Sequence, residues 1–189
     1  DVMLLSQLYL LLPENHALPN EKERAASYCQ LAIRLIDAQH DTSLLAWSLY
    51  CRGKLYVFKN QLLKASKQFH LCLLLRKKMS AFDGEADCLF ELGSIQHALG
   101  LPHEAKPLLE ECVLLYERTG NLPRWVASQS LFGEVLRLVG DYARCYKAVG
   151  EALRRVGPLE TRRLAMQTLL SFAGLCLDRG DLQNAERYL

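Results

Sequence analysis

Apolar residues recur along the chain at three- and four-residue spacing, in stretches closed by proline, glycine or asparagine, and this pattern predicts a succession of amphipathic helices. Val2–Leu12 is apolar on nearly every side and reads as a short helix stopped at Pro13. After the polar loop Glu14–Asn20, the stretch Glu21–Gln39 carries Ala25, Tyr28, Cys29, Ala32 and Leu35–Ile36 on one stripe, which completes a helical hairpin. A second hairpin begins near Thr42, runs through Leu45, Leu49, Gly53 and Tyr56, turns at Asn60, and returns as Leu62–Met79 with Ala65, Phe69 and Cys72 inward. The third, Gly84–Gly120, turns at Gly100-Leu101-Pro102, and Pro107 is expected to bend its second helix. The fourth, Leu122–Gly157, turns at Gly140-Asp141. The fifth, Leu159–Leu189, turns at Gly180 and stops within its second helix.

The stretch Leu89–Ala105, shifted forty residues in either direction, meets its own pattern again. Gly53, Gly93, Gly133 and Ala173 form one column, Asn60, Gly100, Gly140 and Gly180 a second, and Ala25, Ala65, Ala105, Cys145 and Ala185 a third. Glycine inside a helix costs about 1 kcal/mol relative to alanine. Three such glycines in register therefore point to helices that cross too closely for a side chain. The expected fold class is all-α, an α–α solenoid of about four and a half antiparallel hairpins whose stacking supplies the core that one hairpin lacks. It is expected to form a single repeat domain over 1–189, with units near 2–41, 42–83, 84–121, 122–158 and 159–189. A chain that starts on Asp1 and ends inside a helix reads as a portion of a longer protein.

Composition narrows the possibilities. Half of the residues are hydrophobic, but no apolar run reaches the roughly 18 residues that span a bilayer, and nothing at the start reads as a signal peptide. The net charge of +2, with signs mixed, favours neither nucleic acid nor an anionic membrane as partner. The seven cysteines lack C-x-x-C spacing and fall at helix packing positions, so they read as small hydrophobes in a protein of the cytosol or nucleus. Arg76-Lys77-Lys78, Arg118 and Arg154-Arg155 close their helices and complement the macrodipole there. Trp125, lying before its helix, is expected to seal a junction. None of the common phosphate-binding, dinucleotide, zinc-protease or serine-hydrolase motifs occurs, and the adjacent Glu110-Glu111 point to different sides of a helix. No catalytic residue, cofactor or metal site is expected.

Leu49, Gly53, Tyr56, Ala65, Phe69 and Cys72, with Leu92-Gly93-Ala105 and Phe132-Gly133-Ala152 in part, resemble the tetratricopeptide repeat in its longer variety of about forty residues. Gln96 and Leu136 depart from that pattern where an aromatic follows the glycine, and Pro13 stands where the first unit's glycine belongs. The resemblance implies a non-catalytic scaffold that binds a peptide or amphipathic helix of a partner protein in a concave groove lined by each hairpin's first helix. By register the implied partner-binding residues are Trp47, Tyr50, Lys54, Val57 and Phe58, then Phe90, Ser94 and His97, then Glu134 and Arg137. Asp87, Ser130, Leu170, Leu177 and Asp178 share those faces. Tyr50 and Phe90 could equally pack between hairpins. The carboxylate clamp of chaperone-binding members is not implied, because its places hold Tyr50 and Lys54, Phe90 and Ser94, and Ser130 and Glu134. Two other roles stay open, an architectural segment assembling through its ends and convex face, and a sensor array of a larger enzyme.

Overall fold

The computed structural model describes residues 42–155 without a break, together with Gln30, Arg34, Leu170, Ala173, Gly174, Cys176 and Gly180. Most of the expected first hairpin and most of the fifth, with Cys29, Leu177 and Asp178, lie outside the described residues. Within them helix follows helix: α1 (Thr42–Phe58), α2 (Leu62–Lys78), α3 (Phe82–Ala98), α4 (Pro102–Thr119), α5 (Leu122–Leu138) and α6 (Tyr142–Arg155). The architecture is an all-α helical repeat. Two compact units divide the chain at 84/85, in the first turn of α3. The first holds α1 and α2, and the second holds nearly all of α3 with α4 to α6. No described helix is long and apolar enough to cross a membrane.

One turn design joins all six helices. Asn60, Ser80, Gly100, Gly120 and Gly140, spaced twenty residues apart, each hold a positive φ, from 53° at Ser80 to 78° at Gly140. Each donates its N–H to the carbonyl three residues back, as Gly100 does to His97 at 3.0 Å. The next residue reaches five back: Gln61 to Tyr56, Ala81 to Arg76, Leu101 to Gln96, Asn121 to Tyr116 and Asp141 to Leu136, all between 2.8 and 3.2 Å. This paired bonding satisfies carbonyls that the helix end would otherwise leave open. The following helix starts at once, with the Leu101 carbonyl accepting from Ala105 and the Asn121 and Asp141 carbonyls accepting from Trp125 and Cys145. Asn121 and Asp141 also accept through their side chains, from the N–H groups of Arg124 and Arg144. The turn column expected from Asn60, Gly100, Gly140 and Gly180 is thus half of the pattern. Ser80 and Gly120 make the same turn between hairpins.

Packing within each hairpin repeats as strictly. In the first unit α1 and α2 run antiparallel, with the Phe69 ring filling the space above Gly53, where a Cβ would lie 2.6 Å from two ring carbons. In the second unit Leu109 of α4 occupies the corresponding place over Gly93, its Cγ 2.6 Å from a Cβ there, and Val149 of α6 does so over Gly133. The column of small residues is therefore a column of holes, and Phe69, Leu109 and Val149 are its knobs. Two buried cysteines add a polar tie: Cys72 Sγ donates to the Ala46 carbonyl at 3.1 Å, and Cys112 Sγ to the Ala86 carbonyl at 3.4 Å. All six described cysteines are buried, as their positions predict.

Two residues singled out in the sequence gain detail. Helix α4 runs unbroken through Pro107, which is exposed, so water can take the bond that the His103 carbonyl loses. Arg76 is more than a dipole complement, since its side chain lies across Gly84, with Cδ 2.7 Å from where a Cβ would stand.

Glycine substitutions should separate by position. Gly93→Ala and Gly133→Ala are expected to cost about 1–3 kcal/mol through overpacking. Gly150→Ala, with nothing within 4 Å of the added Cβ, is expected to stabilise by up to about 1 kcal/mol. Ser80→Gly relieves a left-handed serine and should stabilise by about 1 kcal/mol. Urea midpoints of the four variants check all these signs.

Candidate functional site

The first helices α3 and α5 bury most of their residues and leave one stripe in partial contact with water. Helix α1, which is more open, shares a matching stripe, although Arg52, Leu55 and Tyr56 on its other sides are also half-exposed. On α1 that stripe holds Trp47, Lys54 and Val57, and it ends at Phe58, which is 49% exposed. Tyr50 does not share it. Only 7% exposed, Tyr50 stacks on Trp47 with ring centroids 5.8 Å apart and meets the Phe69 ring edge-on at 5.5 Å. The structure therefore moves Tyr50 from the expected groove wall to the core of its own hairpin. Trp47, backed by that ring, is held in a fixed orientation.

In the second unit, Asp87, Phe90, Ser94 and His97 follow at three-, four- and three-residue steps along α3, all half-exposed, while Ala86, Cys88, Leu89, Leu92 and Ile95 beside them are buried. The Ser94 hydroxyl donates to the Phe90 carbonyl at 2.8 Å, which turns it inward along its own helix. On α5, Ser130 is buried and donates to the Val126 carbonyl at 3.0 Å, so it leaves the face that register assigned to it. Glu134 and Arg137 remain half-exposed and bind each other through two contacts, Nη2 to Oε1 at 2.7 Å and Nε to Oε2 at 3.3 Å. Arg137 also passes Gly174, whose added Cβ would meet its Nε at 3.8 Å. Leu170 is exposed.

Asp87 organises the polar part of this unit. Its Oδ1 accepts the Tyr116 hydroxyl of α4 at 2.6 Å, and Arg124 of α5 approaches it at 3.8 Å. Burial pushes the Tyr116 phenol well above its ordinary pKa, and the Asp87 charge and hydrogen bond push it further. The Cys112 thiol is likewise raised, first by burial and then by Asp87. Both groups are fixed as proton donors, and neither is poised as a nucleophile.

Along α4 and α6 runs a ladder of opposite charges: Lys106 with Asp141 at 3.3 Å, Glu110 with Arg144, and Glu117 with Arg155 at 3.2 Å. Arg155 also covers the buried Trp125 ring, 4.1 Å from its centroid; Trp125 lies inside the first turns of α5 and not, as expected, before its helix, and it packs under a cation of α6. Sequence reasoning missed this ladder, although opposite charges 34 to 38 residues apart across one repeat were its signal. Among the described residues no group of three or more His, Cys, Asp or Glu is placed to hold a metal ion.

No protein-family model and no curated protein matches the sequence. Solved structures do. BtubC (BKLC) from P. vanneervenii shares 18% identity at a TM-score of 0.77, over 100% of this chain and 75% of that one. The nearly identical TPR-like repeats of a putative kinesin light chain from Podosopora anserina share 15% at 0.74, over 99% and 90%. YrrB, described as a TPR protein with an unusual peptide-binding site, shares 19% at 0.59, over 100% and 82%. These likenesses show the fold, a tetratricopeptide-like helical repeat.

Because Tyr116 and Cys112 hold their protons more tightly folded than unfolded, the stability they contribute is intact at neutral pH. It should decline as pH rises past the unfolded-state values, about 8.5 for the thiol and about 10 for the phenol, by about 1.4 kcal/mol per pH unit per group. Urea midpoints measured from pH 7 to 11 should fall in that window, and the fall should flatten in Tyr116→Phe and Cys112→Ala.

Proposed function

Starting from a tetratricopeptide-like repeat, we propose that this chain is a non-catalytic protein-interaction scaffold whose first-helix stripes receive an extended segment or amphipathic helix of a partner protein. The observation that carries the reading is the half-exposed line at three- and four-residue steps on α3 and α5, helices that are otherwise largely buried. Such a line presents side chains whose orientation is fixed before binding, which lowers the entropy lost on association. Phe58 and Phe90 supply apolar anchors, and Trp47 is the kind of rigid aromatic that carries binding energy at protein interfaces. The Glu134–Arg137 pair is already satisfied and suits a backbone amide or hydroxyl better than a bare ion. Lys54, Val57, Ser94 and His97 complete the contact set. That the hairpins act as one array is part of the proposal, which requires no cofactor. The fold shared with YrrB, described as having a peptide-binding site, supports it.

A photoreactive amino acid placed at Phe58 or His97 should cross-link to a partner in cell extract, while the same group at Leu114, exposed on the opposite helix of its hairpin, should not. Cross-linking from Leu114 alone would exclude the first-helix faces. Phe90→Ala should lower recovery of the partner about fivefold to tenfold, with the far-ultraviolet circular dichroism unchanged.

A further inference from the structure

The overall charge of +2 conceals a steep imbalance along the chain. Between Thr42 and Phe82 there are eight lysines and arginines and no aspartate or glutamate, which leaves fifteen bases against twenty-one acids for the remainder. One hairpin thus carries +8 in a chain whose other residues sum to −6. Much of this charge lies on the outward face of α2. Leu63, Lys64, Lys67, Leu71, Leu74 and Lys78 are all exposed there and fall within one arc of about 100°. The leucines are open to an unusual degree, at 71% for Leu63, 50% for Leu71 and 59% for Leu74.

Helix stability does not account for this face. Cations near the C-terminus complement the macrodipole, which covers Lys77 and Lys78, but Lys64 lies in the first turn, where a cation opposes it. The first turn of α2 has no acidic residue, and its N-cap, Gln61, makes no side-chain capping bond. The repeat does not require the pattern either. One repeat later, α4 places Glu104, Glu111 and Glu117 in the columns of Lys64, Leu71 and Lys77.

We propose that the outward face of α2 docks an acidic amphipathic segment of a partner protein, its carboxylates meeting Lys64, Lys67 and Lys78 and its apolar residues covering Leu63, Leu71 and Leu74. Charge complementarity selects this occupant, because +8 without one internal acid attracts a polyanion. The interleaving of the two residue types selects a polypeptide. Around the helix Lys67 and Lys78 sit between Leu74 and Leu71, so a bilayer that took up the leucines would also take up the ammonium groups between them. Interfacial helices instead keep the two types on separate faces. A nucleic acid would leave the leucines uncovered. A peptide that alternates Asp or Glu with Leu or Ile on one face matches both. This surface lies on the second helix of its hairpin, so its test is independent of the first-helix reading.

The test displays a random peptide library, each member about four helical turns long, and selects it against the full 189-residue chain. A parallel selection uses Lys64→Glu/Lys67→Glu/Leu74→Ser, and circular dichroism checks that this chain keeps its helicity. The expected outcome is enrichment of sequences that combine several acids with apolar residues at helical spacing. Their recovery should fall about tenfold or more on the triple variant and on raising the salt to 1 M. Enrichment of neutral or basic peptides, equal recovery on both proteins, or no enrichment overturns the proposal. So does sedimentation of the chain with phosphatidylserine vesicles, lost in the triple variant, in the absence of acidic-peptide binding. If the triple variant loses helicity, Lys64→Gln/Lys67→Gln replaces it under the same criteria.

Discussion

A helix that ends on a single left-handed residue and restarts at the next one leaves its successor little choice of direction. The five turns centred on Asn60, Ser80, Gly100, Gly120 and Gly140 impose that condition at twenty-residue intervals, and the rest of the architecture follows from it. Because the connection has the same length each time, Gly53, Gly93 and Gly133 come back to the same height and the same side of the first helix. Phe69, Leu109 and Val149 return to face them. The knob shrinks from phenylalanine to leucine to valine along the chain, and a glycine suffices to receive each. The thiol-to-carbonyl bonds of Cys72 and Cys112 recur for the same reason, with donor and acceptor 26 residues apart in both hairpins.

Polar chemistry in the second unit serves this packing. Asp87 draws groups from α4 and α5 onto α3, and the α4–α6 ladder fixes how neighbouring second helices slide past one another. Each exposed pair is worth only about 0.2–1 kcal/mol, so the ladder's contribution is chiefly to register. The Arg155–Trp125 contact differs, since the cation covers a buried indole whose Nε1 has no hydrogen-bond partner.

The fold was legible because its signals are periodic. Helix existence, hairpin pairing and the glycine column can all be read from residues such as Gly93 and Ala105, and the observed helices start and stop within a few residues of those expected. The inter-hairpin turn was harder to see. Serine at position 80 disguises a site that glycine fills at 120, and a left-handed serine leaves no compositional mark. The candidate faces were legible to the level of the helix, where a position one step around decides between core and surface. Tyr50 and Ser130 lie near that edge and turn inward, Tyr50 because the Phe69 ring offers it an aromatic partner, and Ser130 because a carbonyl one turn back accepts its hydroxyl. The charge imbalance needed no structure at all, only counting by hairpin instead of by chain.

The uniform turn also governs how such a chain can change length. One residue inserted into a helix rotates everything beyond it by about 100°, which would carry the next glycine away from its knob and turn the half-exposed stripe toward the interior. Loss of a single twenty-residue segment would exchange first and second helices, setting knob against knob. Descendants of this sequence can therefore lengthen or shorten without penalty only by whole hairpins, so that size evolves in discrete steps while each hairpin's surface is free to drift in charge.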